Sequence, residues 1–239
     1  MTPIQTGQHV PDFTLRTRRD GAWVDLSTAD LFAGRRVVVF GLPGAFTPTC
    51  SSSHVPRYSE LQPVFAANGI DDILCVSVND WFVMDAWRRD QGADQITFIA
   101  DGNGTLTDAL GLLVDKSSLG FGKRSWRYAM VIRDGVVEQT FIEPQVEGDP
   151  YEVSDADTVL GWLAPEAKPL DVVMVTAPGC SYCATGRAQL TAAGIGWAEV
   201  IATPRRLRAL SGRSSTPQIF IDGVHIGGSD DLAHWLAAR

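Results

Sequence analysis

The chain has 239 residues, 45% hydrophobic and 20% charged, which fits a folded globular protein and excludes a disordered or fibrous one. Its net charge of −8 argues against binding nucleic-acid phosphates or an anionic membrane surface, and no apolar run approaches the ~18 residues that span a bilayer. Four cysteines, Cys50, Cys75, Cys180 and Cys183, are too few for a secreted disulfide scaffold, and the start MTPIQTGQHVPDF carries no basic and then apolar leader, so the expected location is the cytoplasm.

In chain order, short strands are expected at residues 13–15 and 23–26. Residues 36–41 (RVVVFG) are a continuous apolar run, the mark of a strand buried on both faces. A loop with Pro43 and Pro48 leads into a helix over 50–67, which Gly69 closes. A second buried strand spans 72–78 (DILCVSV), and Asn79 or Asp80 caps a helix reaching residue 90. A strand over 97–100 follows. Two further strands, 127–133 and 136–142, flank Asp134-Gly135, a hairpin signal. A helix over 154–163, capped by Ser154, closes a layered α/β domain of residues 1–163. The polar, proline-containing stretch 164–169 reads as a linker. The pattern then restarts over 170–239 as β-α-β-α-β-β-α. Its elements are strand 171–176, a helix from 180, strand 197–201, helix 204–210, a hairpin over 218–226 across Asp222-Gly223, and a helix over 230–238.

Two places carry chemistry. Cys50 follows a buried strand and a proline-rich loop, and is expected in the first turn of a helix. The unpaired N–H groups and positive dipole end there favour thiolate over thiol. Thr47 and Thr49 can hydrogen-bond that sulfur or a bound oxygen, while Pro43 and Pro48 fix the loop and shield one side. Cys75 lies inside a buried-strand pattern and is expected in the core. His54, about one turn beyond Cys50, admits two readings: it tunes the thiolate, or it packs the helix or a dimer contact. At the second place, Cys180-Ser-Tyr-Cys183 opens a helix. Both sulfurs fall within one turn, with Cys180 the exposed nucleophile and Cys183 the more buried partner able to close a disulfide. A structural zinc needs four ligands and no second cysteine pair exists, so no metal is expected.

The spacing Pro43, Thr47, Cys50 (P-x-x-x-T-x-x-C) resembles the peroxiredoxin signature, and the string GLPGAFTPTCSSSHVPRY resembles the peroxiredoxin-5 class. CVSVNDWFVMDAW and WRYAMVIRDGVV extend the likeness over about residues 3–163. The resemblance implies that Cys50 is the peroxidatic cysteine, that Thr47 and Arg127 hold the peroxide oxygens, and that Pro43 shields the sulfur. A fixed guanidinium suits that role because it stabilises both the thiolate and the charge on the departing oxygen. No cysteine stands between Cys75 and Cys180, so the domain looks one-cysteine in mechanism. Residues 170–239 resemble a glutaredoxin. Thr216 and Pro217 match its cis-proline segment, and Gly228, Ser229 and Asp230 match the turn where helix N–H groups meet the γ-glutamyl carboxylate of glutathione. Tyr182, inside the Cys-x-x-Cys motif, joins that glutathione-binding set. The sequence departs from the usual glutaredoxin at Ala177, commonly Lys, at Ser181, frequently Pro, and at Ser215-Thr216 in place of Thr-Val. Arg187, Arg206 and Arg213 are the candidates for the missing charge.

The fused order resembles bacterial hybrid peroxidases. It implies two thioredoxin-like α/β domains and a glutathione-dependent peroxidase for hydrogen peroxide and alkyl hydroperoxides. No bound cofactor is implied, and glutathione is the reducing co-substrate. A peroxide sensor and a protein deglutathionylase remain open as other readings. The class also implies a homo-oligomer, dimer or tetramer. A six-residue tether spans only about 20 Å when extended, so electron transfer between chains is expected.

Overall fold

The structure is a computed structural model and describes residues 2–19, 21–146 and 148–239. The first hairpin, β1 (Thr14–Arg19) and β2 (Ala22–Ser27), is longer than the sequence pattern suggests. Ser27 caps α1 (Thr28–Phe32), its hydroxyl accepting from the Asp30 N–H while the Asp30 carboxylate accepts from the Ser27 N–H. This five-residue helix is too short to display a 3.6-residue period, and it goes unpredicted. Next come β3 (Arg36–Leu42), α2 (Val55–Ala67), β4 (Asp72–Ser77), α3 (Trp81–Asp90, capped by Asp80) and β5 (Thr97–Ala100). Three short elements, α4 (Thr105–Ala109), β6 (Leu113–Asp115) and β7 (Lys123–Ser125), also go unpredicted. The hairpin of β8 (Tyr128–Arg133) and β9 (Val136–Ile142) turns at Asp134 and Gly135, both with positive φ. The cap of α5 (Ala156–Leu163) is Asp155 and not Ser154, because the Ser154 hydroxyl is already committed to the Glu143 carboxylate.

These elements build a five-stranded sheet in the order β5-β4-β3-β8-β9, parallel from β5 to β3 and antiparallel beyond. The central strands β3 and β4 are buried almost throughout, as their unbroken apolar runs require. Val37, Val39, Leu74, Val76, Met130 and Ile132 join one core with Phe13, Leu15 and Leu31. Gly41 pairs with Tyr128 across β3 and β8, and a Cβ at Gly41 would run into the Tyr128 ring.

The remaining elements are β10 (Val172–Thr176), α6 (Ser181–Ala192), β11 (Ala198–Ile201), α7 (Pro204–Ser211), β12 (Gln218–Ile221), β13 (Val224–Gly227) and α8 (Ser229–Ala237). They form a four-stranded sheet, β11-β10-β12-β13, over a core of Val172, Met174, Leu190, Ile219, Ile221 and Leu232. The element order is the one read from the sequence. The chain divides into two compact units, Met1–Ser59 with Gly69–Pro165, and Glu60–Asn68 with Glu166–Arg239. Among the described residues no helix is long and apolar enough to cross a membrane.

Because the Tyr128 ring fills the space a side chain would take, Gly41→Ala should destabilise the first unit by about 1–3 kcal/mol. A lowered urea midpoint checks this, and an unchanged midpoint would show that the ring moves aside at little cost.

Candidate active site

The loop that leaves β3 is held from below by Asn79. Its Oδ1 accepts from the Ala45 N–H at 3.1 Å and from the Ser77 hydroxyl at 2.7 Å. Phe46 takes φ 62°, a left-handed conformation that a non-glycine residue adopts only where its surroundings impose it. The next residue, Thr47, donates its hydroxyl proton to the Gly44 carbonyl at 2.8 Å. Its oxygen lone pairs remain as acceptors. The helix begins at Pro48 rather than at Cys50, and Cys50–His54 form a π-helical turn ahead of α2, with the Val55 N–H donating to the Cys50 carbonyl. With i→i+5 bonding, residues 50 and 54 fall on one side, and both side chains are fully buried.

Arg127, just before β8, is 1% exposed and meets both of them. Its Nη1 lies 3.6 Å from Cys50 Sγ and 3.0 Å from His54 Nδ1. Its Nη2 donates to both Asp149 oxygens at 2.6 and 2.5 Å, and the Tyr151 ring lies 5.5 Å away. Burial works against the Arg127 charge, but the Asp149 hydrogen bonds and Cys50 outweigh it, so its pKa is raised and the charge is permanent. His54 packs inside the first unit and touches Arg127. Its Nε2 sits 3.2 Å from the Ser154 carbonyl, which can only accept, so that nitrogen carries the proton and Nδ1 accepts from Arg127. Burial, and then the Arg127 charge, push its pKa well below the usual value, and the ring stays neutral among Phe40, Tyr58 and Tyr151. Cys75 is buried on β4, and burial pushes its thiol pKa up.

The segment after β9 carries Asp149 and Tyr151 and is fastened by Glu143. This buried carboxylate accepts from the Glu152, Val153 and Ser154 N–H groups and the Ser154 hydroxyl at 2.7–3.0 Å. Burial works to raise its pKa, and these bonds outweigh it and hold it below the ordinary value. Sequence reasoning named Asn79 only as a candidate helix cap and missed Glu143, Asp149 and Tyr151. None of those three stands in a motif, and each acts on residues outside its own local segment of the sequence.

In the second unit Cys180 is itself the cap of α6, its Sγ accepting from the Cys183 N–H at 3.1 Å. It forms a disulfide with Cys183, with the Cα atoms 5.3 Å apart, and lies 3.4 Å from the Thr216 carbonyl. The Thr216-Pro217 bond is cis. Gly228 adjoins the Pro217 carbonyl at the start of α8, where its N–H donates to Asp231 at 2.8 Å, while Ser229 is buried and Asp230 exposed. Tyr182 is 65% exposed and Cys183 is fully buried. Arg187 shares with Ala177 and Cys180 a cavity of about 310 Å³, but its guanidinium is paired with Glu199 at 2.8 and 2.5 Å. Arg206 and Arg213 do not line that cavity.

Residues 5–160 match the Redoxin family and residues 172–226 the Glutaredoxin family. The hybrid peroxiredoxin hyPrx5 of Haemophilus influenzae is 54% identical over 236 residues, 97% of this chain and 98% of that protein. The chain belongs to the peroxiredoxins, with a glutaredoxin domain fused behind. Its two units are thioredoxin-like α/β folds. A peroxiredoxin of Synechocystis is 50% identical, covering 66% of this chain and 90% of its own. Reduced Prx3 of Vibrio vulnificus, solved in complex with H2O2, is 45% identical with a TM-score of 0.63, covering 67% of this chain and 99% of its own.

The depressed His54 pKa has a consequence for stability. Folding holds the ring neutral, whereas the unfolded chain takes up a proton below about pH 6.5. Its cost is therefore absent above that value and grows as pH falls, at most about 1.4 kcal/mol per unit. Denaturation between pH 7.5 and 5.5 should show a loss of stability that His54→Gln reduces. Equal pH slopes in the two proteins would refute the assignment.

Proposed function

We propose that this peroxiredoxin is a glutathione-dependent peroxidase, reducing hydrogen peroxide and alkyl hydroperoxides at Cys50 and recovering through Cys180. The observation that carries the reading is the Arg127 guanidinium fixed 3.6 Å from the Cys50 sulfur, with its partner Asp149 and Thr47 lining one cavity. A hydroperoxide O–H donates to Thr47 while Arg127 holds the oxygens. The Cys50 thiolate attacks the distal oxygen, the O–O bond breaks, and the departing hydroxide or alkoxide takes a proton from solvent and leaves as water or alcohol. Cys50 is left as a sulfenic acid. Pro43 and Pro48 line a cavity of about 590 Å³ that also reaches Leu119, Phe121 and Val146, an apolar rim suited to an alkyl chain.

Cys75 is a buried thiol with a raised pKa, a poor nucleophile, so the sulfenic acid is resolved from outside the domain. Glutathione condenses with it, releasing water and leaving a mixed disulfide. Cys180 then attacks the glutathione sulfur and frees Cys50. A second glutathione takes the first one off Cys180 as oxidised glutathione. Tyr182, Thr216, Pro217, Gly228, Ser229 and Asp230 are the glutathione-binding set in this scheme, and Cys183 is not required for turnover. A reducing cytoplasm, where glutathione keeps thiols reduced, and a homo-oligomer complete the proposal.

The test follows NADPH oxidation with glutathione, glutathione reductase and peroxide. Cys50→Ser should lose at least about a thousandfold, the usual scale for removing a nucleophile. It should keep Cys180 activity on a small mixed disulfide. Cys183→Ser should keep most peroxidase activity and Cys180→Ser should lose most of it. A single turnover in the wild type would mean a sensor. Activity confined to mixed disulfides, with Cys50 dispensable, would mean a deglutathionylase.

A further inference from the structure

Arg127 presents two edges. One nitrogen faces Cys50 and His54, and the other is taken up by both oxygens of Asp149. A guanidinium fork is the side chain best suited to grip a carboxylate in two places, and here the chain's own carboxylate grips it first. Asp149 also reaches solvent. Its side chain is 41% exposed and it lines the 590 Å³ cavity beside Thr47, Pro48 and Thr49. Among the described residues the other charged group lining that cavity is Lys116, whose ammonium donates to the Gly148 carbonyl at 3.3 Å and stands 4.6 Å over the Trp126 ring. Without Asp149 the described residues would leave Lys116 at the cavity and an unpaired edge on Arg127 behind it, both favourable to an acidic molecule.

We propose that Asp149 is a specificity-determining residue, filling the outer edge of Arg127 so that the Cys50 site accepts uncharged hydroperoxides and gives no foothold to a carboxylate. The same contact makes it a positioning residue for the Arg127 nitrogen that faces the sulfur. The inference rests on the peroxidase reading for its substrates, but charge selection at Cys50 can be read without peroxide.

The probe pair is iodoacetamide and iodoacetate, nearly equal in size and different in charge. Both alkylate a thiolate with release of iodide. Rates at Cys50 are measured in a Cys180→Ser/Cys183→Ser chain, with the modified peptide identified by mass spectrometry. In Asp149→Asn the ratio of iodoacetate to iodoacetamide rates should rise about fivefold at low salt, and the rise should shrink in salt. Asp149→Glu, which keeps the charge, should stay near the wild-type ratio. A variant that merely loosened Arg127 would slow both reagents together. An unchanged ratio in Asp149→Asn, whatever its absolute rates, would overturn the proposal. Loss of peroxide turnover in the wild type would instead refute the peroxidase reading and leave the ratio standing.

Discussion

A guanidinium closed off from water is the constraint around which the first unit is arranged. An unpaired buried charge costs several kcal/mol, so Arg127 at 1% exposure needs partners that are themselves held in place. Asp149 supplies the opposite charge, but the described residues of its segment, between β9 and α5, form no strand or helix. That segment is pinned by Glu143, a buried carboxylate whose own desolvation is offset by three backbone N–H groups and one hydroxyl. His54 faces Arg127 because the π turn brings residues 50 and 54 to one side, and it accepts from Arg127 because its other nitrogen must donate to Ser154. Of the three Arg127 side-chain nitrogens only Nε lacks a hydrogen-bond partner among the described residues. The geometry at the Cys50 sulfur is thus the end of a chain of obligations that begins at Glu143.

The two redox sulfurs both stand near the start of a helix, yet charge reaches them differently. Pro48 and Thr49 are already helical, so Cys50 stands in the first turn without being the cap, and the Arg127 side chain brings a positive charge to its sulfur. Cys180 is the cap itself, and a backbone N–H donates to its sulfur. Its neighbour Arg187 spends its charge on Glu199, and Ala177 offers none. A buried sulfur facing a side-chain cation suits a small substrate met in a cavity. A half-exposed sulfur fed by backbone dipoles suits a bulky mixed disulfide, whose other half must remain outside.

What was legible in the sequence was local. The apolar runs of β3 and β4, the Asp-Gly turns of both hairpins, the helix start at Asp80 and the element order of the second unit each depend on residues close together in the chain. The Pro43, Thr47, Cys50 spacing was legible for the same reason. Short elements were not, since α1 and α4 have five residues each and cannot show a helical period. Nor was the π turn, because periodicity carries no sign of one inserted residue. Ser154 had the right chemistry for a cap, but Glu143, 11 residues away, takes its hydroxyl. Asp149 stands 22 residues from Arg127, and nothing in either neighbourhood links them.

The filled edge of Arg127 bears on the order of events at Cys50. Glutathione is a thiol flanked by two carboxylates, and an open guanidinium fork would draw one of those carboxylates toward the sulfur ahead of the thiol. With Asp149 in the fork, the remaining way to satisfy the site is thiol first, the carboxylates staying at the rim near Lys116. In the proposed cycle that orientation would leave the glutathione sulfur bonded to Cys50 with its backbone turned outward, open to attack by a second thiol. Hydrogen peroxide and alkyl hydroperoxides carry no charge at neutral pH and meet no such selection. In the proposed cycle one carboxylate would thus serve both halves, admitting a neutral oxidant and turning a charged reductant the useful way round.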